Sequence, residues 1–140
     1  MSETMTPYAI DLATSGEMEM CGDVHAGFPS PAEDVREKLD LIKLLVRHPA
    51  STFYFRISGV SMVDASLDEG DIVVVDRSLD LYNDCIAVCF IDGEFTVKRV
   101  SITEKEVLLL PANPRFKPIP VTEDNQFLVW GIVTYVIKKV

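Results

Sequence analysis

The chain is short of positive charge. Thirteen Lys and Arg stand against 22 Asp and Glu, a net charge of −9 over 140 residues. Holding nucleic acid by its phosphates needs clustered cations, so direct DNA binding is not expected. Histidine is scarcer still, with only two, and neither stands near Cys85 and Cys89. A metal site is therefore not expected, and nothing in the sequence implies a cofactor. Cysteines number three, an odd count that argues against a disulfide framework. No run of 18 apolar residues occurs, and no basic stretch precedes an apolar one as in a signal peptide. These absences point to a cytoplasmic protein. Yet 48% of the residues are apolar, enough for one domain with a genuine core.

The first 26 residues differ from the rest. They hold five acids (Glu3, Asp11, Glu17, Glu19, Asp23), no Lys or Arg, and no sustained helical or strand period. They are expected to form a flexible, removable arm that folds over the body at 27–140. Phe28-Pro29-Ser30-Pro31 reads as extended linker, because each proline pushes the residue before it toward β or polyproline geometry. Asp40 is expected to cap a short helix running to Arg47, with Leu41, Leu44 and Leu45 on one face and Pro49 ending it. His48 then reads as a loop or helix-end residue rather than a base.

From residue 52 onward the pattern is that of strands. A β-branched and aromatic run covers 52–58, one helical turn is expected over 61–67, and strands follow at 71–76, 85–91, 94–100 and 107–110. Asp92-Gly93 is the strongest short hairpin signal in the chain. Alternation would put Cys85 and Cys89 on one strand face as small buried hydrophobes. A proline-rich loop is expected through Pro120, then one or two apolar strands over 127–140, bulged or broken at Gly131 and buried on both faces, partly by a second subunit. The fold class expected is mainly β: twisted, curled antiparallel sheets with a short N-terminal helix.

Two residues carry the chemistry. Ile57-Ser58-Gly59-Val60-Ser61-Met62 breaks the first strand run at a glycine and presents Ser61. Phe95-Thr96-Val97-Lys98-Arg99, on the return arm of the hairpin, places a lysine among apolar neighbours. Either alone is ordinary, a turn serine and a solvated strand lysine. Together they suggest a serine nucleophile activated by a lysine. A lysine serves as base only once its amine is neutral, and burial among Val97 and Val100 is expected to favour that form. Gly59 would let the backbone amides of Val60 and Ser61 face a developing oxyanion.

Ser58-Gly59-Val60-Ser61-Met62, Glu69-Gly70-Asp71 and Asp92-Gly93-Glu94-Phe95-Thr96-Val97-Lys98-Arg99 resemble the LexA/UmuD family of self-cleaving serine peptidases. Leu110-Pro111-Ala112-Asn113 and Trp130-Gly131-Ile132-Val133 fit as well, so the resemblance runs from about Ala26 to the end of the chain. It implies the LexA C-terminal/UmuD-like fold, Ser61 as nucleophile and Lys98 as general base. It also implies an SOS-response protein whose self-cleavage is stimulated by the RecA filament. The processed form would be a homodimer serving a UmuC-like translesion polymerase as accessory subunit.

Two bonds compete as the cleavage site, Ala26-Gly27 and Cys21-Gly22. UmuD-type proteins are cut at Cys-Gly, but there the bond directly precedes a segment like Phe28-Pro29-Ser30-Pro31-Ala32. Here Ala26-Gly27 holds that register, and Ala-Gly is the bond type cut in LexA-type relatives, so it ranks first. Other readings are a non-catalytic regulatory binding module and a truncated LexA- or phage-repressor-type protein. A signal peptidase with a similar dyad would need a membrane anchor. The short acidic arm offers no DNA-reading domain.

Overall fold

The computed structural model describes residues 7–9, 17–20, 37–58, 66–111 and 115–140. The chain divides into two compact units, one of Met1–Ile10 with His48–Val140, the other of Asp11–Arg47.

In the smaller unit, β2 (Glu17–Met20) pairs antiparallel with β3 (Glu37–Asp40), with Met20 opposite Glu37. Helix α1 (Leu41–Leu45) follows at once. Asp40 caps it as the sequence predicts, its Oδ1 accepting the N–H groups of Ile42 (3.0 Å) and Lys43 (3.3 Å). The helix ends two residues short of Arg47, at a C-cap Val46 in extended conformation.

The larger unit is one antiparallel sheet. Its strands are β1 (Pro7–Ala9), β4 (Thr52–Arg56), β5 (Ile72–Asp76), β6 (Ile86–Ile91), β7 (Glu94–Ile102), β8 (Val107–Leu110), β9 (Ile119–Val121) and β10 (Val129–Ile137). Their spatial order is β1-β4-β5-β10-β6-β7-β8-β9. The mainly β, antiparallel fold expected is found, with eight strands in this sheet and two in the ribbon of the smaller unit.

That sheet is strongly curved. Between β4 and β7 lie three strands, so a flat sheet would hold them about 19 Å apart at ~4.8 Å per step. Yet the rings of Phe55 on β4 and Phe95 on β7 stand 5.2 Å apart, and both meet Trp130 of β10, at 5.2 and 5.6 Å. Strands β4 and β7 must bend toward each other over this face. The concave side holds Phe55, Ile57, Leu67, Val73, Val75, Val88, Val97 and Val133. A second cluster lines the opposite side: Cys85, Ala87, Cys89, Val100, Leu109 and Ile132.

Local chemistry explains the turns. The β6–β7 hairpin closes through Asp92 (φ 51°) and Gly93 (φ 78°). Positive φ at both central residues is the geometry that matches the twist of the flanking strands and favours Asp-Gly. On β10 the pairing with β6 shifts register between Val129 and Gly131, the irregularity expected there. A Cβ at Gly131 would lie 2.6 Å from Val75 Cγ1, so only glycine lets β10 lie this close to β5.

Three features differ from the sequence reading. Residues 7–9 of the arm add an edge strand, Tyr8 pairing with Tyr54. Within the proline-rich loop, β9 pairs with β8, with Pro120 opposite Leu108; as the sheet's last strand it needs no donor on its open side. The C-terminal strand is buried only in its middle, at Gly131, Ile132 and Val133. Tyr135, Val136 and Ile137 are 38 to 46% exposed.

Asp76, at the end of β5, is a buried carboxylate at 4% exposure. It accepts the hydroxyls of Ser78 (2.7 Å) and Ser51 (2.9 Å), the N–H of Ser78 (2.9 Å) and the Nδ1–H of His48. Burial alone would raise its pKa, but the Ser78 and His48 hydrogen bonds and the rest outweigh it and hold the carboxyl at about 2. Because the folded value lies below the unfolded one, this stabilisation is complete above pH ~4 and fades as pH falls toward 2. It amounts to about 2 kcal/mol. Asp76→Asn is expected to lower stability at neutral pH by about that amount and to flatten the acid limb of the stability curve. Urea unfolding at neutral pH and near pH 3 checks this, and an unchanged acid slope would count against it.

Candidate active site

Lys98 stands in the middle of β7, half-buried, directly across from Ala87 on β6. Alternation along β7 sends Lys98 and Val100 to the side of the second cluster and Val97 to the concave side. The expected apolar setting is therefore found in part, with Ala87, Cys89 and Val100 as its members rather than Val97. Cys89 registers how near the lysine is. Burial pushes its thiol up to about 12, while the ammonium form of Lys98 pulls it the other way. Both Cys85 and Cys89 are buried, at 2% and 0% exposure, in one cluster on one face as expected, and Cys85's thiol is likewise raised by burial. Cys21 lies outside the described residues.

Ser61, the Val60 amide and the helical turn expected over 61–67 fall outside the described residues, apart from Ser66 and Leu67 at its end. What the structure does show is how the two feet of this segment are held. Upstream, Ile57 donates its N–H to the carbonyl of Asp71 (2.7 Å) and accepts the N–H of Gly70 (2.8 Å). Downstream, Leu67 is fully buried. Both feet belong to the concave apolar cluster. The bonds Cys21-Gly22 and Ala26-Gly27 also lie outside the described residues, in the stretch between β2 and β3.

Sequence reasoning missed two polar clusters. His48 does sit at a helix end, as the N-cap of the 3-10 turn Pro49–Ser51, but its pairing with Asp76 joins residues 28 apart. Asp71, read as a strand end and as part of the Glu69-Gly70-Asp71 motif, is buried and paired with Lys138, 67 residues away. Neither pairing leaves a local pattern in the chain. Among the described residues no cluster of His, Cys, Asp and Glu is arranged to hold a metal ion. No helix among them is long and apolar enough to cross a membrane.

Comparison with known proteins places these residues in a family. Residues 19–134 match the Peptidase S24-like family model, a span that takes in Ser61, Lys98 and both candidate bonds. Protein MucA of Salmonella typhimurium is 41% identical over 114 residues, covering 80% of this chain and 77% of its own. Protein ImpA of the same organism is 40% identical over 121 residues, covering 81% and 78%. The LexA repressor of Xylella fastidiosa is 35% identical over 115 residues, covering 82% of this chain and 54% of the repressor. With more than four-fifths of its length inside the family model, the chain belongs to the Peptidase S24-like family.

Proposed function

We propose that this protein is a self-cleaving serine peptidase of the SOS response, with Ser61 as nucleophile and Lys98 as general base. The observation that carries the reading is the family match, whose span includes both residues and both bonds. Ser61 Oγ attacks the carbonyl carbon of Ala26 while neutral Lys98 takes its proton. The backbone amides of Val60 and Ser61 receive the oxyanion. The intermediate then collapses, the C–N bond breaks, and the Lys98 ammonium protonates the departing amine of Gly27. Water, activated by the same lysine, releases the acyl group.

The arm is residues 1–26 and the processed body 27–140. On the resemblance to UmuD-type proteins, the processed form acts as a cytoplasmic homodimer, accessory to a UmuC-like translesion polymerase, after cleavage stimulated by the RecA filament. The exposed apolar end of β10 and Phe127, 73% exposed, support an interface between copies.

Cleavage has a structural consequence that can be read directly, because β1 lies upstream of both bonds. Arg77 N–H to Ser51 O and Ile57 N–H to Asp71 O show that odd-numbered residues of β4 turn their polar groups to β5. Tyr54 therefore turns its N–H and C=O to β1, opposite Tyr8, while Pro7 falls opposite Phe55, where a missing donor costs nothing. The test is incubation with activated RecA filament, followed by intact mass, N-terminal sequencing and hydrogen exchange. A body of residues 27–140 beginning Gly-Phe-Pro-Ser is expected, with Tyr54 N–H exchanging at least ~10-fold faster once β1 is gone. A new terminus reading Gly-Asp-Val-His would place the cut after Cys21, and no cleavage at all would overturn the reading.

A further inference from the structure

Three chain segments meet at Asp71. The β5–β10 ladder runs to Ile137 opposite Ile72, and one step further sets Lys138 opposite Asp71. Lys138 Nζ donates to Asp68 Oδ2 (2.6 Å) and to Asp71 Oδ2. Asp71, whose side chain is 6% exposed, also accepts the N–H of Asp68 at 2.9 Å. Its own carbonyl accepts the N–H of Ile57. Asp71 thus ties the end of β10 to both feet of the 58–67 segment.

We propose that Lys138 is a positioning residue for self-cleavage: by joining Asp68 to Asp71 it fixes the downstream foot of the segment that carries Ser61. The proposal rests on the reading of Ser61 as nucleophile. The Lys138 hydrogen bond holds Asp71 below the usual carboxylate range against the opposing effect of burial, with the Asp68 N–H helping. Hydrogen bonds to Asp68 and Asp71 in turn raise Lys138. Asp71 and Lys138 are therefore both charged at neutral pH.

Without the cation, two carboxylate oxygens at most about 5 Å apart would face each other, one of them buried. Like charges at that range repel. Asp68 is the one free to yield, since its side chain is 62% exposed while that of Asp71 is enclosed. Its outward movement breaks the N–H bond to Asp71 and shifts the foot. The fold itself should persist, because Ile57 and Leu67 remain anchored in the apolar cluster. Catalysis is less forgiving, since a displacement of about 1 Å can cost roughly 100-fold in rate.

The test compares wild type, Lys138→Met and Lys138→Arg in the full chain, at a temperature where circular dichroism shows each folded. Two rates are read: RecA-stimulated self-cleavage, and labelling of Ser61 by a fluorophosphonate, which needs an activated serine but no docked arm. Lys138→Met is expected to slow both by about 10- to 100-fold. Lys138→Arg should restore both, since guanidinium can bridge two carboxylates. Adding Asp68→Asn to Lys138→Met should recover part of the loss by removing the repulsion. Wild-type rates in Lys138→Met, or an Arg variant as slow as the Met variant, would overturn the proposal. Ser61→Ala run alongside separates the two levels. If it still cleaves, the site reading fails; if it is inert while Lys138→Met cleaves normally, only the positioning role fails.

Discussion

Ser61→Ala is expected to yield no cleaved product under activated RecA filament, and Lys98→Ala to slow cleavage by about 10²- to 10⁴-fold. The two losses differ in kind. Without the hydroxyl there is no oxygen to form the acyl bond, so no pH or incubation time restores the reaction. Without the amine the hydroxyl remains but must lose its proton to water, and general-base assistance is what disappears. Raising the pH should speed the wild-type protein, because the neutral fraction of a lysine amine grows, while leaving Ser61→Ala flat. Neither change should unfold the body, since Lys98 is only half-buried and the apolar clusters on both sheet faces stay intact. Intact mass at timed intervals measures both rates. Lys98→Ala cleaving at the wild-type rate would remove the lysine from the mechanism and leave Ser61 needing another base.

Phe55→Ala should cost about 3–5 kcal/mol, a large share of the ~5–15 kcal/mol by which a domain of this size is stable. Phe55 is fully buried, and its ring touches Phe95 at 5.2 Å and Trp130 at 5.2 Å. Those contacts join β4 to β7 and β10 across the concave face, so the ring fills the space that the sheet's curvature encloses. Truncation leaves a cavity at that point, which neighbouring side chains can close only by changing the bend. The aromatic pairs lost with it add to the area term. Phe90→Ala makes the control, because Phe90 is 41% exposed and pairs only at the outer side of Phe95 in this group. Urea unfolding of the two variants should differ by at least ~2 kcal/mol. Equal losses would mean that Phe55 is not the central contact of the curved face. Since β4 leads directly into the segment that carries Ser61, Phe55→Ala should also slow self-cleavage where it remains folded.

Features that depend on neighbours a few residues apart were legible in the chain before any fold was known. The Asp92-Gly93 turn is one case, because positive φ at both positions is a property of those two residues and fixes the β6–β7 register. The Asp40 cap is another, its carboxylate reaching N–H groups two and three residues on. Alternation from residue 85 through β6 likewise foretold that Cys85 and Cys89 share a buried face. Strand periodicity foretold a mainly β antiparallel fold, and the motifs around Ser61 and Lys98 foretold the peptidase family.

Tertiary structure decided whatever depends on partners far along the chain. Residues 7–9 carry no strand signal of their own and become β1 because the edge of β4 offers Tyr54 as a partner. β9 forms despite Pro120 because it is an edge strand. Whether Lys98 would face the cluster of Cys89 or that of Phe55 turned on how β7 lies against β6. Asp71 could be read as a turn residue from its neighbours alone; its burial against Lys138 exists only because β5 and β10 are adjacent in the sheet. The curvature follows the same rule. No local signal specifies it, because it arises where Phe55, Phe95 and Trp130, from three separate strands, exclude water together.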